Sequence, residues 1–254
     1  MTKGAAPNTG AMSTQTIGRA EFVSLGADMR GYYAVPATEG PHPGILVFQE
    51  AFGVNDYIQS EVRRLASAGY AAIAPDLFHG KTLGHDDMGP VFAALQALTD
   101  DAMVAEVRAA AAFLDAQPEV GDAPYGAIGF CMGGRLAVLT AIELGAAIGA
   151  AVSFYGGNIA PDQQRLWSPL GERIAGASAA ILMVYGAGDE SIAPAEIGRV
   201  AQALAARKGR FAISVYPDAG HGFASNGRPQ YNPEAAESAW DEALAFFGRY
   251  LGGD

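Results

Sequence analysis

The chain has 254 residues and one cysteine, Cys131, which excludes an internal disulfide framework and any Cys-x-x-Cys metal site. Positive charge is also scarce. Sixteen Lys and Arg stand against 27 Asp and Glu, a formal net charge of -11 that argues against nucleic acid or an anionic membrane as partner. No apolar run approaches the roughly 20 residues of a membrane span. The segment Met1–Arg19 is polar and rich in small residues, without the apolar centre of a signal peptide. Residues 1–19 are therefore expected to form a flexible leader, and residues 20–254 one cytoplasmic domain. What the chain does have is apolar mass. Half of its residues are hydrophobic, and its 33 glycines and 14 prolines punctuate it throughout rather than forming a linker.

The order of patterns predicts the architecture. Glu21–Leu25 and Met29–Val35, split by Gly26-Ala27-Asp28, read as an antiparallel hairpin. Continuous apolar runs at Gly44–Phe48, Tyr70–Ala74, Tyr125–Phe130, Ala150–Tyr155 and Ala179–Tyr185 read as strands buried on both faces. Helical spacing separates them: Ile58, Val62 and Leu65 after a cap at Asp56, then Met103, Val107, Ala111 and Leu114 after a cap at Thr99. Pro194 opens a helix with Ile197, Val200 and Leu204 inward, Phe211, Ile213 and Val215 alternate in a strand, and Asn232-Pro233 opens the last helix. Asp76–Pro90 and the segment around Trp167 read as irregular. Strands alternating with helices imply an α/β fold: a mostly parallel sheet with helices on both faces and an antiparallel hairpin at its start.

One stretch organises the chemistry. In Gly129-Phe-Cys-Met-Gly133 an apolar strand ends at a cysteine flanked by glycines two residues away on each side, and a helical pattern follows at once. This is the G-x-C-x-G form of a nucleophile elbow, a strand-to-helix turn that holds its central residue in a strained backbone geometry. The sulfur is expected to project above the sheet. The N–H of Met132 would open the next helix, where the dipole favours a thiolate and a developing oxyanion.

An elbow nucleophile needs a base and an orienting acid, in the chain order nucleophile, acid, histidine. Asp189 stands just past one apolar strand, in Tyr185-Gly-Ala-Gly-Asp189, and His221 just past the next, in Asp218-Ala-Gly-His-Gly222. Loops at the carboxyl edge of a parallel sheet are where such groups converge. A fourth group, Glu50, follows the first long buried strand, in the loop that would also supply a second oxyanion donor, the N–H of Ala51. Phe52, Phe78, Tyr155 and Phe223 are candidates to line an apolar pocket. His79 and His85, with Asp76, Asp86 and Asp87, match no helix-face ligand spacing, and no metal is expected. His42, between two prolines, is expected at the surface.

These residues resemble the dienelactone hydrolase family of the α/β-hydrolase fold. The resemblance is carried by Gln49-Glu-Ala-Phe-Gly-Val-Asn55, Gly69-Tyr-Ala-Ala72, Ala74-Pro-Asp-Leu-Phe78, Gly129-Phe-Cys-Met-Gly-Gly134, Tyr185-Gly-x-x-Asp189 and Gly220-His221. It implies a Cys131–His221–Asp189 triad that hydrolyses small lactones or carboxylic esters through an acyl-thioester, without cofactor or metal. It also implies that Glu50 contacts the resting thiol and takes its proton when substrate binds. The chain departs from the family's characterised lactonases at two positions, where arginines hold the substrate carboxylate and this sequence has Gly80 and Ser225. Lys81 and Arg228 lie close in sequence, although a lysine does not replace a guanidinium fork. A small-molecule substrate and a monomer or small homo-oligomer are expected. Two other readings stand beside the hydrolase: a catalytically silent relative that binds a small molecule, and a redox-sensing Cys131, which would have no second cysteine in the chain to pair with.

Overall fold

The computed structural model describes residues 16–163 and 165–252. Eight strands form one sheet in the order β1-β2-β4-β3-β5-β6-β7-β8. β1 (Ile17–Gly26) and β2 (Met29–Pro36) pair antiparallel, and β2 pairs antiparallel with β4 (Ala71–Pro75). From there β3 (Gly44–Phe48), β5 (Tyr125–Phe130), β6 (Ile148–Phe154), β7 (Ala180–Gly186) and β8 (Phe211–Tyr216) continue in parallel. This is the expected fold class, hairpin included. The hairpin is longer than its alternation suggested. Ile17, Gly18 and Arg19, placed by the sequence in the leader, already belong to β1, where Ile17 pairs with Pro36. Residues 1–15 lie outside the described residues.

Strand exposure follows from position in the sheet. β3, β4, β5 and β7 are buried at every residue, as strands covered on both faces must be. Adjacent residues of β5 show the two layers. Tyr125 turns toward α3 (Asp100–Asp115), its hydroxyl bonded to Asp115, whereas a side chain at Gly126 would run into Phe247 and Leu251 of α6 (Pro233–Leu251). On the α6 side lies α1 (Asp56–Ser67), joined by Arg64, which pairs with Glu237 at 2.6 Å and stacks over Trp240. On the α3 side lies α4 (Met132–Glu143), joined by Arg135 and Asp100. α2 (Met88–Ala97) and α5 (Pro194–Ala206) are the other α-helices among the described residues.

Caps set the helix starts. Thr99 accepts from Ala102 N–H and Asn232 from Ala235 N–H, as the sequence indicated. For α1 the cap is Asn55 rather than Asp56: Asn55 Oδ1 accepts from Ile58 N–H, and Asp56 sits in the first turn, where its charge suits the dipole. His42 is another correction. It is buried, because Val120 forms an isolated bridge with it and its ring lies against the Thr38 carbonyl.

The connectivity fixes where a site can form. The chain runs from β3 outward to β4 on one side, then returns to place β5 on the other, so the crossover direction reverses between β3 and β5. A crevice opens at such a switch point, beyond the carboxyl ends of the two strands. Phe48 is in register with Gly129. Glu50 and Cys131 each stand two residues further on.

Candidate active site

Cys131 joins β5 to α4 with φ 56° and ψ -118°, a left-handed conformation that costs a non-glycine residue roughly 1–3 kcal/mol. Neighbouring contacts hold it there. Its N–H donates to Phe154 O, and its carbonyl accepts from Gly134 N–H, each at 3.0 Å. The flanking glycines are required by close approach: a side-chain carbon on Gly129 would overlap the Gly133 carbonyl, and one on Gly133 would overlap Phe48 O. Met132 is the first residue of α4, so its N–H has no partner within the helix.

His221 and Asp189 reach this point from the next loops. His221 Nδ1 lies 2.8 Å from Asp189 Oδ2, and Ser191 N–H donates to the other oxygen, Oδ1, also at 2.8 Å. Both oxygens of a carboxyl that is 1% exposed are thereby engaged. Burial alone would lower the His221 pKa. The negative charge of a Cys131 thiolate, with hydrogen bonds from the ring to Asp189 and to the sulfur, outweighs it and lifts the imidazole to about 10. With the sulfur ionised, the ring is the imidazolium half of an ion pair with it.

Glu50 is buried, and one of its oxygens, Oε2, has no hydrogen-bond partner. Burial raises its pKa above the ordinary 4.5; the charges of Arg228 and His221 and the Tyr155 hydroxyl oppose that rise without cancelling it. Arg228 Nη1 approaches Glu50 Oε1 to 3.4 Å, and the guanidinium stacks over the Phe52 ring at 5.0 Å. Behind Glu50, the hydroxyls of Tyr57 and Tyr155 meet at 3.4 Å.

A cavity of about 370 Å³ opens over Cys131 and His221, with Ala51 and Met132 in its wall. Of the pocket candidates, Phe52 and Arg228 line it. Tyr155 and Phe223 stand outside it because they are spent on support: Tyr155 packs on the His221 ring at 5.3 Å, and Phe223 packs on Tyr155 at 5.5 Å. Phe78 is buried away from the cavity, and Lys81 is exposed outside it. Gly80 is exposed with φ +90°, and Ser225 is buried. Three of the acids and histidines of the 76–87 loop have other partners. Asp76 pairs with Arg30, His79 lies against Glu106 and His85 stacks on Phe52. Among the described residues no cluster of three or more His, Cys, Asp or Glu could hold a metal ion.

Sequence reasoning missed most of the cavity wall, including Met88, Phe92 and Leu95 of α2 and Arg165, Leu166 and Trp167 of the irregular segment. No periodic signal marks that segment. What orders it is Arg135, four residues past the cysteine and fully buried, which holds Asp100 through both oxygens at 2.7 and 3.0 Å. The same side chain donates to the carbonyls of Asn158 and Ser168 and stacks over Trp167.

The family model for dienelactone hydrolases matches residues 29–251. The chain belongs to the dienelactone hydrolase family. An Escherichia coli protein named "Putative carboxymethylenebutenolidase" is 37% identical over 236 residues, covering 90% of this chain and 85% of its own. A protein of the same name from Methylorubrum extorquens is 34% identical over 222 residues, covering 86% and 76%. The crystal structure named "Putative Dienelactone Hydrolase" from Klebsiella pneumoniae superposes with a TM-score of 0.85 at 32% identity, covering 93% of this chain and all of that one. No described helix is long and apolar enough to cross a membrane.

Proposed function

We propose that this dienelactone hydrolase family member hydrolyses carboxylic esters or lactones with Cys131 as nucleophile, His221 as acid and base, Asp189 as its orienting partner and Glu50 as auxiliary proton acceptor. The observation that carries the reading is the His221 ring held between Asp189 and the Cys131 sulfur on the floor of one cavity. At rest the thiol is paired with Glu50 in its carboxylate form, which Arg228 and His221 favour and burial opposes. On substrate binding the thiol proton passes to Glu50. The thiolate adds to the substrate carbonyl, and the oxyanion is met by the N–H groups of Met132 and Ala51. The imidazolium of His221 gives its proton to the departing alkoxide as the carbon–oxygen bond breaks, leaving a thioester on Cys131. Neutral His221 then takes a proton from water, hydroxide adds to the thioester, and the thiolate leaves the acid product. Glu50 returns the proton to sulfur. The sum is ester plus water giving acid plus alcohol, with no cofactor. A nucleophilic thiol that must stay reduced suits a cytoplasmic setting.

The test is turnover of a p-nitrophenyl acetate with mass spectrometry of the quenched enzyme. Wild type should carry an acetyl group on Cys131, and Cys131→Ala should lose turnover while keeping its thermal unfolding temperature. Activity of Cys131→Ala within about tenfold of wild type would remove Cys131 from the mechanism.

A further inference from the structure

Six large apolar side chains are exposed among the described residues, and three of them, Met88, Phe92 and Leu166, ring the mouth of the catalytic cavity. Phe92 is 53% exposed, more than any other of the six. α2 explains the surplus. Its sequence, Met-Gly-Pro-Val-Phe-Ala-Ala-Leu-Gln-Ala, has no charged residue, yet the protein buries only Val91 and Leu95 from it. A helix that is apolar nearly all round is normally covered on every side. Beneath the rim the wall continues apolar and buried through Leu95, Trp167 and Ile192, down to Cys131 and His221.

We infer that this wall is a binding site for an apolar arm of the substrate, so that the preferred esters carry an aliphatic or aryl chain several carbons long. The inference rests on the hydrolase reading above and adds the substrate class. Continuity decides the occupant. The exposed side chains belong to the same cavity as the candidate nucleophile, so a substrate whose carbonyl sits at Cys131 has them within the space it occupies. Each methylene laid on such a surface gains a factor of about four in binding. A chain bound equally in ground and transition states raises kcat/KM through KM.

The arm could sit on either side of the scissile bond, and two substrate series separate these cases: p-nitrophenyl esters from acetate to hexanoate, and acetates of straight-chain alcohols from methyl to hexyl. The expected result is a rise in kcat/KM of about fourfold per methylene in one series, until the chain passes the rim. In Phe92→Ser and Leu166→Ser, whose side chains are exposed enough to change without unfolding the protein, the hexanoate-to-acetate or hexyl-to-methyl ratio should fall by at least about tenfold. Phe92→Leu should keep most of it. Acetates cleaved with no chain-length dependence in either series would overturn the inference and leave the hydrolase reading standing. So would an unchanged ratio in both serine variants, or a wild-type dimer that Phe92→Ser dissociates without altering the ratio, since the rim would then cover a second copy of the chain. If neither series nor a small lactone is turned over, the hydrolase reading falls and the inference with it; a lactone cleaved while no ester is turned over overturns the inference alone.

Discussion

Replacing Asp189 by asparagine tests the site at its most constrained point. The carboxyl has two demands on it: Oδ1 accepts from Ser191 N–H and Oδ2 faces His221 Nδ1, both at 2.8 Å. An asparagine can satisfy only one of them with its single carbonyl oxygen. If that oxygen stays on Ser191, the amide NH2 faces Nδ1 and drives the ring proton to Nε2, the atom that must accept a proton from water in deacylation. If the amide flips, the NH2 is pressed against the Ser191 N–H in a site with almost no access to water. In either case the negative charge beside the imidazolium is gone. At 2.8 Å and an effective dielectric near 20 that charge contributes about 6 kcal/mol. This corresponds to a loss of roughly ten-thousandfold in kcat, in line with what a histidine of the wrong tautomer costs. Steady-state kinetics on an aryl acetate measure the first consequence, and imidazole NMR the second. The His221 titration, near pH 10 in wild type, should move down. Because the two residues act as a unit, adding His221→Ala to Asp189→Asn should cost little beyond the worse single variant. Activity within about tenfold of wild type, or independent effects that multiply, would refute a shared mechanism.

Two further outcomes are expected. Glu61, buried on α1, has its carboxyl pushed up from 4.5 to about 8, chiefly by burial, with Arg64 opposing. A raised folded-state pKa means that the native protein binds the extra proton, so stability falls as pH rises from about 4.5 to about 8. At pH 7 the cost is about 3 kcal/mol, and Glu61→Gln should gain that amount in urea unfolding at pH 7 and almost nothing at pH 4; a gain that does not vary with pH would contradict the assignment. Concerning substrate charge, Arg228 already faces Glu50 and Arg165 is exposed at the rim, so a neutral ester should match or exceed its carboxylate-bearing analogue in kcat/KM. A preference of about a hundredfold for the carboxylate, weakening with salt, would show that these arginines bind it.

The fold was legible because its signals are local. Buried parallel strands announce themselves as unbroken apolar runs, and Thr99, Pro194 and Asn232 mark helix starts through side-chain chemistry that needs no partner from elsewhere. The order of Cys131, Asp189 and His221 was legible for the same reason, each being a short loop motif at the end of a strand. The cavity wall was not. Met88, Phe92 and Leu166 are apolar residues in segments with weak periodicity or none, and nothing local says whether an apolar residue faces a core or a cavity. The segment that carries Leu166 is held by Arg135, whose bonds to Asp100, Asn158 and Ser168 span 35, 23 and 33 positions of sequence.

Arg228 shows how such a long-range contact can still leave a mark. The sequence has Gly80 and Ser225 where the resemblance leads one to expect arginines, and offers Lys81 and Arg228 only as neighbours in sequence. The structure brings a guanidinium to the cavity from three residues further on, through a turn in which Arg228 N–H donates to Ser225 O at 3.1 Å. The space for it is made by Gly222, whose φ is +79° and whose missing side chain would overlap Arg228 Nη1. The glycine after His221 therefore has a role of its own: it admits the cation whose charge opposes the upward push of burial on the Glu50 carboxyl. Gly-His-Gly reads as a histidine turn when only the histidine is asked about. Asked what would collide with a side chain at each glycine, the same three residues point to Arg228, and through it to the buried carboxylate on the far side of the crevice.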